Sequence, residues 1–252
     1  MQTLKDFFLR HPKAALAYSG GVDSVYLLYA GRACGADIRP YFIKTPFQPE
    51  SEYREARRLA ESIGVSMQTV ELDVLALRKV AENPADRCYH CKKALFSALL
   101  SRAAGDGYAL VLDGTNASDD SGDRPGMRAL AEYGVVSPLR QCGLTKADIC
   151  ALSRVAGLPT WDKPSKSCLA TRIPTGREIT RELLTRVDAA EEALERLGFR
   201  DLRVRVLDDT AKIQLPEDQL RRAVEEREAI VDCLAPYFSA VTLDLRPRVS
   251  RD

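Results

Sequence analysis

Short apolar runs alternate with longer stretches of helical spacing along the first part of the chain. Ala14 to Ser19 (AALAYS) reads as a short buried strand, and Val22 to Cys34 as a helix, with Gly20-Gly21 between them. The unit then repeats. Ile38 to Lys44 predicts a strand, Ser51 to Ile63 a helix, Ser66 to Glu71 a strand, Cys91 to Ala103 a helix and Tyr108 to Asp113 a further strand. Strands alternating with helices imply an α/β fold, a doubly wound parallel sheet with helices on both faces.

The segment Leu158 to Arg177 (LPTWDKPSKSCLATRIPTGR) breaks this pattern, being rich in Pro, Gly, Ser and Thr. A connection of that length inside a compact chain usually carries function. Beyond it, Leu183, Val187, Ala190, Leu194 and Leu197 follow a helix, and Leu202 to Leu207 with Ala211 to Leu215 alternate as a hairpin. One helix from about Glu217 to Leu234 and a strand at Ala240 to Leu245 complete a smaller α+β module, and Arg246 to Asp252 read as a frayed tail. The expected division is residues 1–157 for the α/β domain, 158–177 for an active-site loop and linker, and 178–252 for the small module.

Composition narrows the function. The 252 residues are 45% hydrophobic and 29% charged, enough for a real core. Lys and Arg number 37 against 36 Asp and Glu, so a net charge of +1 gives no global field to hold a polyanion; a small-molecule partner is expected, not a nucleic acid. Apolar stretches are interrupted well before the roughly 18 residues of a membrane span, and Met1 to Asp6 lacks a signal-type apolar region, so no membrane partner and a cytoplasmic location are expected. Seven cysteines in a reducing compartment make a poor disulfide framework. With only His11 and His90 available, thiolates are the plausible metal ligands.

Ser19-Gly20-Gly21-Val22-Asp23-Ser24 falls where the first strand gives way to the first helix. Backbone N–H groups, the positive end of a helix and two hydroxyls can surround a phosphate there, and Asp23 could hold a Mg²⁺ ion offsetting its charge. No Gly-Lys-Ser/Thr follows, so this is not a Walker A loop. The hexapeptide resembles the signature of the PP-loop ATP pyrophosphatases, adenine nucleotide alpha hydrolase-like proteins that cleave ATP between the α and β phosphates and adenylate a substrate. That resemblance implies ATP binding by Ser19, Gly20, Gly21, Val22, Asp23 and Ser24. A second match, Gly114-Thr115-Asn116 after a predicted strand, corresponds to a segment near the nucleotide. Asp119, Asp120, Asp123 and Arg124 follow in a charged loop suited to closing over the nucleotide, with Arg124 as an ATP-binding candidate.

Cys88-Tyr89-His90-Cys91 opens a helix, where two sulfurs can share one side and the helix N-terminus favours thiolates. Cys168 lies far away in sequence. Three thiolates make an incomplete zinc site unless His90 completes it, and they also suit a [4Fe–4S] cluster with one iron open to an extra sulfide. Cys34, Cys142, Cys150 and Cys233 lie in helical or apolar stretches and read as small buried apolar residues.

Taken together, SGGVDS, RCYHCK and PSKSCLATRIPTG resemble the LarE family over nearly the whole chain. These are the ATP-dependent sulfur transferases of nickel-pincer nucleotide biosynthesis, which serves lactate racemase maturation. The resemblance implies adenylation of the carboxylates of pyridinium-3,5-biscarboxylic acid mononucleotide and their conversion to thiocarboxylates, with ATP and Mg²⁺, a sulfide source and a homo-oligomeric assembly. In single-cysteine members the residue matching Cys168 gives up its own sulfur and ends as dehydroalanine. The added Cys88 and Cys91 match the three-cysteine members, whose cluster relays sulfide, so a renewable donor is expected.

A substrate phosphate needs a cationic clamp. Alternation in Leu202 to Val206 places Arg203 and Arg205 on one strand face, and the resemblance gives them to that phosphate, with Thr171 and Arg172 as further substrate contacts. Trp161 either stacks on the pyridinium ring or anchors its loop. A tRNA-thiolating enzyme would share the loop and cysteines, but the near-neutral charge argues against it. An amide-forming NAD or GMP synthase-type ligase leaves the cysteines unexplained, and an adenine-nucleotide sensor would have no use for them.

Overall fold

The computed structural model describes residues 3–119, 125–164 and 167–248. The chain forms two compact units, Met1–Val74 with Asp86–Lys163, and Leu75–Ala85 with Pro164–Asp252.

The first unit contains helices α1 (Leu4–Arg10), α2 (Val22–Ala33) and α3 (Glu50–Ser62) and strands β1 (Lys13–Ala17), β2 (Asp37–Lys44), β3 (Gln68–Glu71) and β4 (Val111–Leu112). A short helix, α4 (Arg78–Ala81), falls in the second unit; the first resumes with α5 (Arg87–Gly105), α6 (Pro125–Glu132), α7 (Pro138–Gln141) and α8 (Lys146–Val155). Among the described residues the strands make one all-parallel sheet in the order β3-β2-β1-β4. The expected doubly wound arrangement follows from the pleat. Ala14, Leu16, Ile38, Phe42 and Leu112 join a core with α1, α2 and α3, while Ala15, Tyr41 and Val111 face a second core built on Phe96, Leu99 and Ala103 of α5. Both sheet faces are covered, which is why β1 is apolar throughout its middle.

Several boundaries differ from expectation. The strand predicted over Tyr108 to Asp113 shrinks to Val111–Leu112, because Tyr108 N–H closes the end of α5 on Ala103 O (2.8 Å) and Asp113 N–H turns to Val136 O (3.0 Å). Helix α5 starts a turn before Cys91, at Arg87. Helices α1, α4, α6, α7 and α8 lie outside the predicted elements. α1 and α8 each begin with a capping box, Thr3 with Asp6 and Thr145 with Asp148.

The second unit takes in residues 75–85, which the sequence pattern leaves with the first. Asn83 explains the exchange: buried, at φ +54°, it donates from Nδ2 to Pro174 O (2.8 Å) and accepts Gly176 N–H (2.8 Å). After a 3₁₀ turn at Leu169–Arg172 come α9 (Arg181–Arg196), β5 (Arg203–Leu207), β6 (Thr210–Gln214), α10 (Glu217–Glu225), α11 (Arg227–Leu234) and β7 (Ala240–Leu243). β5 pairs antiparallel with β6, and β6 parallel with β7. The predicted single helix from Glu217 to Leu234 is two helices meeting at Glu226, because Glu225 to Glu228 supplies no apolar residue to hold that turn on the core. Nor is the tail frayed as far as Arg248, whose N–H donates to Leu215 O (2.8 Å) and whose guanidinium pairs with Asp201. Residues 249–252 lie outside the described residues. Among the described residues no helix is long and apolar enough to cross a membrane.

Candidate active site

The chain leaves β1 through Ser19 and Gly20 and enters α2 at Gly21. Gly20 has φ +75°, and a Cβ there would lie 2.7 Å from the Cβ of Ala56, so both conformation and space demand glycine. Hydroxyls wire the loop: Gly21 N–H donates to Ser19 Oγ (3.3 Å), Ser19 N–H to Ser24 Oγ (3.3 Å), and Ser24 Oγ–H to Gly21 O (3.1 Å). Val22 is buried and anchors the helix. Gly21, at the N-cap, offers no side chain to the first-turn N–H groups of this 12-residue helix, which leaves its positive end open to an anion.

Strand order reverses between β1 and β4, and ligands of open α/β sheets bind outside the carboxyl ends at such a point. Gly114 leaves β4 against the first turn of α2, where a Cβ would lie 3.1 Å from Ser24 N and 3.3 Å from Asp23 Cβ. Buried Asp113 accepts the hydroxyls of Thr115 and Ser137, the latter at 2.6 Å. Asn116 Nδ2 donates to Asp23 Oδ1 (3.2 Å), and Lys146 Nζ donates to Asp23 Oδ2 (2.7 Å). Lys163 Nζ donates to Glu55 (2.7 Å) and to Gly20 O (3.3 Å). Asp120, Asp123 and Arg124 lie outside the described residues.

In the first turn of α5, Cys88 is exposed and Cys91 buried. Arg87 donates to Cys88 Sγ (3.6 Å), and His90 Nε2 lies 3.0 Å from Asp86. Tyr89 O–H donates to Glu132 (2.9 Å) and Arg128 stacks over its ring at 4.2 Å, fastening this turn to α6. Cys34 and Cys150 pack against the core, and burial pushes the thiols of Cys142 and Cys233 up, as inert apolar cysteines require. Arg154 lies over the half-exposed Trp161 ring at 4.9 Å.

Cys168, in the second unit, caps the 3₁₀ turn; Thr171 donates to its carbonyl from N–H (3.0 Å) and Oγ (2.9 Å). Arg172 is buried, with Nε and Nη2 donating to the two oxygens of Glu191 at 2.8 Å each. Its Nη1 donates to Ser167 O (2.7 Å) and Cys168 O (3.2 Å). Glu191 also accepts Val204 N–H (2.9 Å), so one carboxylate holds both the cysteine turn and β5.

Val204 and Val206 face the core and Arg203 and Arg205 the other way, as alternation predicts. Arg203 donates to Ser167 Oγ, and Arg205 to Thr171 O (2.8 Å) and Gln214 Oε1 (2.6 Å). Gln214 passes the contact to Asp244 (2.9 Å), which the hydrogen bond from Lys212 holds down to about 2. Burial, then the like charges of Arg172 and Arg248, bring Arg203 down to about 10 and lower Arg205 too. Buried guanidinium groups that repel one another would gain from a bound anion.

Among the described residues no three His, Cys, Asp or Glu side chains stand grouped to hold a metal ion. Lys146, Lys163, Glu191 and Gln214 were missed by the sequence reading. Two left a signal: Thr145-x-x-Asp148 marks a helix opening at Lys146, and Glu191 interrupts the apolar face that Val187 and Leu194 define.

A hydroxyl-wired glycine loop at the switch point of a parallel sheet defines a nucleotide-phosphate-binding α/β protein. No family model matches the chain. It is 36% identical over 249 residues to an uncharacterized protein of Synechocystis, covering 97% of this chain and 93% of that one. It is also 34% identical over 236 residues to the pyridinium-3,5-bisthiocarboxylic acid mononucleotide synthase of Lactiplantibacillus plantarum, covering 92% and 86%. A glutamine-hydrolyzing GMP synthase of Aeropyrum pernix is 30% identical over 211 residues, 74% of this chain and 40% of that one. The chain belongs to the LarE family, that of the bisthiocarboxylic acid mononucleotide synthase.

Proposed function

We propose that this protein is a cytoplasmic, homo-oligomeric, ATP-dependent sulfur transferase that turns the carboxylates of pyridinium-3,5-biscarboxylic acid mononucleotide into thiocarboxylates. The observation that carries this reading, beside the family, is the wiring of the Cys168 turn to the arginine face: Arg203 reaches Ser167, Arg205 reaches Thr171 O and Arg172 reaches Cys168 O. A cysteine tied so directly to an anion site suits sulfur chemistry on a phosphorylated substrate.

A carboxylate is a poor electrophile. Its oxygen attacks the α-phosphorus of ATP, the bond to the β-phosphate oxygen breaks and pyrophosphate departs; sulfide then displaces AMP, leaving a thiocarboxylate. In this scheme the phosphate loop, with Gly114, Thr115 and Asn116, orients the triphosphate, and Arg124 belongs to the same group. Asp23 would hold Mg²⁺, which offsets charge on the departing pyrophosphate. Arg203 and Arg205 grip the substrate phosphate beside Thr171, and Arg172 positions the cysteine turn. Residues 1–74 and 86–157 then supply the nucleotide chemistry, 158–177 the sulfur-bearing loop, and 178–252 the clamp and the contacts between subunits.

The donors of such a cluster would be Cys88, Cys91 and Cys168; all three are thiols, and the first two lie one helical turn apart, with Arg87 donating to Cys88 Sγ. When bound, a cluster with one open iron supplies a sulfide as nucleophile. The test is oxygen-free purification followed by iron and sulfide analysis. About four irons per chain, lost in Cys88→Ala, together with pyrophosphate release from ATP only when the diacid nucleotide is present, are expected. No iron after reconstitution, and loss of one H₂S from Cys168 on turnover, would make Cys168 the sacrificed donor.

Anion binding has its own test. Arg203→Met removes a cation that burial and its neighbours disfavour, so the ligand-free protein should melt no lower than wild type. Inorganic phosphate should raise the melting temperature of wild type and much less that of the variant. Equal phosphate shifts in both would remove Arg203 from the clamp.

A further inference from the structure

We propose that Asn83 is a positioning residue for sulfur transfer: it fastens the chain that leaves the Cys168 turn to the chain that runs on into Cys88. The proposal rests on the sulfur-transferase reading above.

The chain leaves the first unit at Leu75 and returns to it at Asp86. This excursion adds no strand to the second unit and little apolar surface, since only Val80 and Asn83 are buried within Leu75–Ala85. What it adds is a row of hydrogen bonds. Ala81 O accepts Ile179 N–H (2.7 Å), and Asn83 O accepts Gly176 N–H (2.8 Å). The Asn83 side chain supplies the rest, donating from Nδ2 to Pro174 O (2.8 Å) and to Ile173 O (3.3 Å).

Those two carbonyls follow directly on the 3₁₀ turn that Cys168 caps, and Ile173 N–H donates back into the turn at Ala170 O (3.3 Å). Glu191 holds the turn through Arg172, and Arg205 holds it at Thr171 O. Asn83 fixes the remaining end, where the chain departs. On its other side, Asp86, the N-cap of α5, comes three residues after Asn83, and Cys88 two later. Three residues span at most about 10 Å, so this link has little slack.

The backbone of Asn83 stands at φ +54° and the residue is 1% exposed. Asparagine tolerates that left-handed conformation better than most side chains, and its amide can donate to two acceptors at once. A residue kept in a sparsely populated region is held there by everything around it, a pattern that concentrates at functional sites. Here the surroundings are the two peptide groups that end the cysteine turn.

The test separates two steps on the full chain: the first-turnover burst of pyrophosphate from ATP and the diacid nucleotide, and the thiocarboxylate formed with inorganic sulfide supplied. Asn83→Gly adopts φ +54° freely and keeps the bond from Gly176 N–H, so it should fold, losing only the side-chain donor. Asn83→Asp keeps the shape but turns an acceptor toward both carbonyls. Both variants should form thiocarboxylate about a hundredfold more slowly, as a shift of about 1 Å at a reacting group does, with a wild-type pyrophosphate burst. In the metal-free proteins, iodoacetamide should label Cys168 faster than in wild type and Cys34 at the same rate. Wild-type thiocarboxylate formation in the folded Gly and Asp variants would overturn the proposal. So would a burst that falls in parallel with transfer, since Asn83 would then serve the fold as a whole. If wild type releases pyrophosphate but forms no thiocarboxylate, the sulfur-transferase reading falls and takes this proposal with it.

Discussion

Glu191→Ala is expected to destabilise the second unit by about 3–5 kcal/mol, the usual cost of removing one partner of a buried ion pair. Arg172 is 5% exposed, and both of its carboxylate contacts are 2.8 Å long. Without Glu191 that guanidinium keeps only neutral acceptors in a low-dielectric site, and Val204 N–H loses its acceptor as well. Urea denaturation followed by circular dichroism measures the loss. The double variant Arg172→Met, Glu191→Met should recover much of it, since well-packed apolar side chains often replace a buried pair without penalty. A single-variant loss below about 1 kcal/mol would mean that water reaches Arg172. Removing the partner from the exposed Arg221–Glu225 pair should change stability little. Glu191 also joins the cysteine turn to β5, so the apolar pair should restore the fold without restoring sulfur transfer.

That ion pair shows how far the sequence could be read. The alternation that turned Arg203 and Arg205 to one face was visible because a strand repeats every two residues, and the strand–helix alternation of the first unit was visible because its periods switch cleanly. The partner that fixes Arg172 was not, since the contact joins positions 19 apart, and no local period records which charge on a helix meets which loop. Arg172 read as a substrate contact for the same reason: an arginine in a Ser- and Thr-rich loop looks free until its neighbours are placed. Lys146 and Asp23 are the extreme case. The phosphate loop, by contrast, is legible as a string because its chemistry is local, with glycines, hydroxyls and helix start all inside six residues. The four-residue helices α4 and α7 hold barely one turn each and leave no measurable period.

The same locality makes Gly20 the position in the loop least tolerant of change. Gly20→Ala is expected to lower ATP-dependent pyrophosphate release about a hundredfold, while α2 and the sheet remain folded. The left-handed backbone at φ +75° costs an alanine about 1–2 kcal/mol. Its Cβ would also stand 2.7 Å from the Cβ of Ala56, an overlap of the kind that costs about 1–3 kcal/mol when a packed region is overfilled. The loop is bound into the Ser19–Ser24 hydroxyl pair and the Lys163 contact, so relief comes from moving the phosphate cradle, and a shift of about 1 Å is enough for a hundredfold loss. Ala56→Gly in the same chain removes the closest contact but leaves the Cα of residue 56 at 3.0 Å and the backbone strain untouched, so the double variant should regain only part of the rate. Complete recovery would show that the contact with the Ala56 Cβ alone excludes alanine; none would show that the left-handed conformation and the remaining backbone contact shape the cradle. Gly114→Ala is the matched comparison: its Cβ would meet Ser24 N at 3.1 Å without a positive φ, and its loss should be the smaller. Steady-state rates with saturating substrate, read beside thermal melts of each variant, separate a displaced loop from a damaged fold.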